Sequence, residues 1–106
     1  GLEPNIFSVG LSKNPATTYT TFIINHDRTG SPMDIDIEVF DMSGCLLWTH
    51  SENGVPATGA YTVDWDLTLD TGGRLQTGVY LYRVRAGSDG SKKTSKAKKL
   101  IVLGNN

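Results

Sequence analysis

A period of two in the apolar residues restricts this chain more than any other feature. In Ile35-Asp36-Ile37-Glu38-Val39 the apolar side chains share one face and the carboxylates the other, the pattern of a half-buried strand. Tyr61-Thr62-Val63-Asp64-Trp65-Asp66 repeats it, with Tyr61, Val63 and Trp65 inward. In Tyr80-Leu81-Tyr82-Arg83-Val84-Arg85, positions 80, 82 and 84 share the inner face while Arg83 and Arg85 point away. Further strands are read at Ile6 to Leu11, Thr18 to Asn25, Leu46 to His50 and Ala97 to Leu103. No stretch carries a helical period.

Turn residues punctuate these strands: Asn14-Pro15, Thr29-Gly30-Ser31-Pro32, Ser43-Gly44, Glu52-Asn53-Gly54, Thr71-Gly72-Gly73 and Ser88-Asp89-Gly90. The two-residue spacing at Ser43-Gly44 predicts a tight hairpin. The stretch from Leu67 to Thr77 is too long for one and is expected to cross between sheets. About seven short strands predict an all-β, immunoglobulin-like antiparallel sandwich. At 106 residues the chain is one domain, 1–106, with one modest core.

Charge and composition narrow the function. Hydrophobic residues are 38% and charged residues 20%, and no apolar run nears the roughly 20 residues that span a bilayer. No basic flank followed by an apolar stretch opens the chain, so no signal peptide is read in it. The net charge of −1 argues against nucleic acid as a partner. It hides an asymmetry: residues 1–90 carry five basic and eleven acidic side chains, while 91–106 carry Lys92, Lys93, Lys96, Lys98 and Lys99 and no acid. Such a run serves as a solvated tail or as a lysine-protected sheet edge.

Catalytic and metal chemistry finds little support. Cys45, the single cysteine, permits no internal disulfide, and His50 lies five residues along the same strand, which turns it to the opposite face. Asp64, Asp66 and Asp70 approximate the start of a calcium loop, but Leu75 stands where its closing glutamate belongs. No zinc spacing or phosphate loop occurs, so neither cofactor nor metal is expected and the domain is read as non-catalytic. A sugar platform would need Trp48 or Trp65 outward; Trp65 keeps phase with the core, and the face of Trp48 stays open because Leu46, Leu47 and Trp48 are all apolar.

The landmarks run in order: Asn14-Pro15-Ala16, Thr20-Thr21-Phe22, Val39-Phe40-Asp41-Met42-Ser43-Gly44, Gly59 to Asp66, Gly78-Val79-Tyr80-Leu81-Tyr82-Arg83-Val84, and Lys98-Lys99-Leu100-Ile101-Val102. From Asn5 to Leu103 this order resembles the type A C-terminal sorting domain of type IX secretion cargo, the por-tail family. The Trp-Asp segment is also similar to the immunoglobulin-like domain of flagellar hook-capping proteins, where glycine usually follows Trp-Asp; Leu67 follows it here.

The sorting-domain resemblance implies an excised C-terminal module that passes through the periplasm and takes its parent across the outer membrane to the cell surface. Its implied partners are type IX translocon, shuttle and sortase proteins, and its implied parent a surface cysteine peptidase or the sortase itself. A terminal strand with a free ladder edge would supply affinity. Expected contacts are Lys96, Lys98 and Lys99 for steering, Leu100, Ile101 and Val102 for strand docking, and the strand Gly78 to Tyr82, above all Gly78, Val79 and Tyr80, in support. A flexible connection at 88–95 would let a mostly monomeric chain form a strand-exchanged dimer. The alternative reading is a structural or adhesive immunoglobulin-like spacer.

Overall fold

In the computed structural model, which describes residues 7–26, 32–56, 60–88 and 91–104, eight strands form two antiparallel sheets packed as a sandwich. They are β1 (Phe7–Leu11), β2 (Thr20–His26), β3 (Met33–Phe40), β4 (Leu46–Val55), β5 (Tyr61–Trp65), β6 (Gly78–Ser88), β7 (Ser91–Thr94) and β8 (Lys98–Val102). One sheet is ordered β1-β2-β5; the other is ordered β4-β3-β6, with β7 and β8 both paired to the far side of β6. Among the described residues no helix occurs. Asn5, Ile6, the Thr29-Gly30-Ser31 turn, Gly59 and the Asp89-Gly90 turn of the sequence reading lie outside the described residues.

Strand β3 shows why the period of two folds this way. Met33, Ile35, Ile37 and Val39 are buried, each contributing about 1.5–3 kcal/mol. The alternate positions face solvent and find ionic partners: Glu38 Oε1 accepts from Arg83 Nε at 2.7 Å, and Asp36 Oδ2 from Lys92 Nζ at 2.5 Å. Burial pushes the Asp36 carboxyl up, but its bonds to Lys92 and Ser51 and the attraction of Lys92 and Arg85 outweigh that, leaving it below its ordinary value.

The core centres on Phe22, whose ring lies 5.7 Å from Trp48, 5.8 Å from Trp65 and 5.7 Å from Tyr82. Trp65 is buried, as its phase predicts, and its Nε1 donates to Thr68 O at 3.0 Å. Trp48 stacks on Trp65 at 4.6 Å, which answers the open question of its face: it points inward. A register shift between Val39 and Phe40 makes room for this in an unbroken apolar run, leaving Leu46 paired with Phe40 on the outer face and Trp48 paired with Val39 on the inner one.

Two local expectations need correction. The β3–β4 hairpin is not a two-residue turn: Asp41 N–H donates to Cys45 O and Gly44 N–H to Asp41 O, a three-residue loop closed by Gly44 at φ 92°. Asp41 Oδ1 gathers the Ser43 hydroxyl and the N–H groups of Ser43 and Cys45, which hold its carboxyl below the ordinary value. Residues 88–95, expected as a flexible connection, contain the end of β6 and all of β7, so an eighth strand stands where a linker was expected. Ser95 joins β7 to β8, donating its N–H to Val84 O and accepting from Val84 N at its hydroxyl.

The Leu67–Thr77 stretch does cross between sheets, from β5 to β6. Leu67 sits at φ 64°, a left-handed conformation that favours glycine, yet its side chain is fully buried. Leucine stands here because burial outweighs the roughly 1–2 kcal/mol that such a backbone costs.

Candidate functional site

All the expected contact residues except Lys96, which lies in the link between β7 and β8, converge on β8 and the half of β6 beside it. Val102, Ile101 and Leu100 lie opposite Gly78, Val79 and Tyr80, and Lys99 and Lys98 opposite Leu81 and Tyr82. Alternation then divides them. Leu100 and Val102 are fully buried in the core, while Ile101 and Val79 stand outward, 38% and 42% exposed. Tyr80 is half-buried and ties its hydroxyl to Gln76 O at 2.7 Å.

The free ladder edge expected of the terminal strand is absent. Asn14 Nδ2 donates to Lys99 O at 2.8 Å, and Ile101 N–H donates to Asn14 Oδ1 at 2.9 Å. Ala16 N–H donates to Ile101 O, and Leu103 N–H to Ala16 O, both at 2.8 Å. Asn14-Pro15-Ala16, whose Asn14–Pro15 peptide is cis, thus occupies the outward backbone groups from Lys99 to Leu103. On the edge of the opposite sheet a single carbonyl is engaged: Lys98 Nζ crosses to Val9 O on β1 at 2.6 Å.

What remains available on β6 and β8 is the outer face, and there the alternation breaks. Phe40 pairs with Leu46 and Leu81, Leu81 with Lys99, and Val79 with Ile101, so apolar side chains adjoin across four strands. Arg83 lies 5.0 Å from the Phe40 ring, bordering this patch, and beyond it the same face is ionic, with Asp36, Glu38 and Lys92. Outer faces of antiparallel sheets are ordinarily polar, which makes this apolar exception the candidate site. Lys99 stands within it, with no ion-pair partner among the described residues. Phe40 and Leu46 were missed by sequence reasoning; the available signal was an apolar residue at a phase otherwise held by Asp36 and Glu38.

Other chemistry-bearing residues are dispersed. Cys45 is exposed, with the Ser43 hydroxyl 3.7 Å from its sulfur, while His50 lies against Trp48 and 3.4 Å from the Tyr61 hydroxyl. Asp64 accepts from Thr21 Oγ1, Asp66 from Thr68 Oγ1, and Asp70 from the Thr49 N–H and hydroxyl on β4; the three carboxylates do not converge. Among the described residues no group of three or more His, Cys, Asp or Glu is placed to hold a metal. A hollow of about 520 Å³ is lined by Tyr19, Trp48, Asp64, Trp65, Asp66 and Thr68. Its tryptophans stack on each other, Trp48 also stacks on Phe22, and Trp65 packs tilted against Phe22, so both rings are engaged in the core.

No protein-family profile and no curated protein sequence matches the chain. Among solved structures it is similar to dimeric latent PorU from Porphyromonas gingivalis, with 33% identity and a TM-score of 0.86. That match covers 99% of this chain and 10% of the PorU chain, so the domain spans about a tenth of its neighbour's length.

Proposed function

We propose that residues 1–106 are a single C-terminal sorting domain of type IX secretion, a non-catalytic module recognised by translocon, shuttle or sortase proteins at the outer membrane. The observation that carries this reading is the likeness to one tenth of PorU, a type IX secretion protein, at 33% identity over nearly the whole chain. The order of motifs from Asn14-Pro15-Ala16 to Lys98-Lys99-Leu100-Ile101-Val102 supports the same family. On this reading the parent protein passes through the periplasm to the cell surface, and the sortase itself is a fitting parent.

The mode of recognition follows from which side chains are free to touch a partner. Leu100 and Val102 hold the domain together and act through its fold; Val79, Leu81 and Ile101 supply the contact, and Lys99 orients an acidic partner over it. Lys96 and Lys98 add long-range attraction at the adjoining edge.

The test is a fusion of residues 1–106 behind a periplasmic reporter in a host with the type IX system. The reporter is expected at the cell surface. Retention in the periplasm to the extent seen with an unrelated β-sandwich would overturn the targeting role and leave a spacer.

A further inference from the structure

We propose that the trough between β1 and the β7–β8 edge binds an extended acidic peptide, which adds as a strand to β1. This goes beyond the targeting reading and stands whether or not that reading survives.

The sandwich is uneven: β1-β2-β5 is three strands wide, and the facing sheet is four wide with β7 and β8 at its edge. Beside β1 this leaves a trough of about 370 Å³, lined by Val9, Lys93, Thr94, Ser95, Lys96 and Lys98. Among the described residues, three of the six that line it are cations and none is an acid. Register explains how they come together. Lys93 is opposite Ala86 and Lys98 opposite Tyr82, and Ala86 and Tyr82 are inward-facing core residues, so both lysines project from the inner side of their sheet toward β1. Ser95 and Lys96 complete the wall where β7 passes into β8.

The other wall is a strand edge. Ser12 N–H donates to Thr21 O across the β1–β2 pair. Antiparallel alternation then turns Gly10 and Ser8 toward β2 and directs the backbone groups of Phe7, Val9 and Leu11 outward. Lys98 Nζ lands on Val9 O because that carbonyl faces the trough. An incoming strand would take over Val9 O, freeing the Lys98 ammonium for one of its carboxylates. Backbone pairing along β1 supplies affinity, while Lys93, Lys96 and Lys98 select for acids and repel basic strands. The same arrangement discourages a second copy of β1, which brings no carboxylate among residues 7–11.

The probe is a fluorescein-labelled eight-residue peptide of alternating glutamate and valine, with a lysine-valine peptide of equal length as control, titrated into the 106-residue chain and followed by anisotropy and by amide NMR. The glutamate peptide should bind saturably, at least tenfold tighter than the control, and weaken with added salt. Chemical shifts should move at Val9, Leu11 and 93–98, and the Val9 and Leu11 amides should gain protection from hydrogen exchange. K93E/K96E should weaken binding about tenfold or more with its amide spectrum otherwise intact; if that double variant unfolds, K96E alone should weaken it by a smaller factor. Absence of saturation at millimolar peptide, equal binding of the control, shifts centred on β4 or β5, or binding without protection of Val9 and Leu11 would each overturn the proposal.

Discussion

Replacing Leu67 by alanine and by glycine separates two opposed effects at one residue. Its side chain is fully buried and its φ is 64°. Leu67→Ala keeps the unfavourable backbone and loses the burial, at a cost of about 2–5 kcal/mol. With an unfolding entropy of about 2.1 cal/mol/K per residue, a loss of about 3 kcal/mol lowers the melting temperature of a 106-residue domain by about 13 °C. Leu67→Gly loses a further buried methyl, about 0.8 kcal/mol, and adds about 0.5–1 kcal/mol of chain entropy. It also recovers the roughly 1–2 kcal/mol cost of the left-handed backbone. These nearly cancel, so the glycine variant should melt within about 4 °C of the alanine variant. At an ordinary backbone it would fall about 6–8 °C below. Thermal denaturation by circular dichroism checks both arms. An alanine variant within 2 or 3 °C of the parent would refute the burial argument, and a glycine variant more than about 6 °C below alanine would refute the backbone argument.

Asn14→Ala removes both side-chain bonds that cover β8 and should cost about 1–3 kcal/mol, read as a lowered melting temperature. It should also bring concentration-dependent association in light scattering, since it bares a strand edge; an unchanged melting temperature and mass would count against the capped edge. Tyr61 is pushed up to about 12 by burial and by the nearby Glu52 carboxylate. A raised folded value means stability fully present below about pH 10 and lost as pH rises toward 12, so Tyr61→Phe should flatten the fall in stability across that window. Ultraviolet titration of tyrosinate should lose its step near 12 in the same variant, and a step that persists would reassign it to another tyrosine.

Most of the architecture was legible because strands with one buried face write their period into the chain. Ile35 to Val39 needed nothing beyond alternation, and Trp65 keeps phase with its neighbours. Strand β7 was not legible: Ser91-Lys92-Lys93-Thr94 has no apolar residue, and it is held by its ladder to β6 and by the Lys92–Asp36 ion pair. The cover on β8 was invisible for a different reason, since Asn14 reaches Lys99 and Ile101 across more than eighty residues and leaves no local signature. The contact face was half legible. Ile101 is legible as part of the terminal strand and Val79 and Leu81 as part of the strand supporting it, but Phe40 and Leu46 join them only through register, which includes the shift at Val39–Phe40. Leu67 could be flagged as a departure in sequence, yet only its burial shows why leucine holds a conformation suited to glycine.

Truncating the last residues cannot separate signal from fold, because Leu100 and Val102 are core. The direct measurement is the surface fraction of a reporter fused to residues 1–106 carrying Val79→Gln and Ile101→Gln, both on the outer face, beside the unaltered fusion in a type IX host. The double variant should melt within about 3 °C of the parent and leave the reporter in the periplasm. Full surface delivery by a folded double variant would contradict recognition through this face.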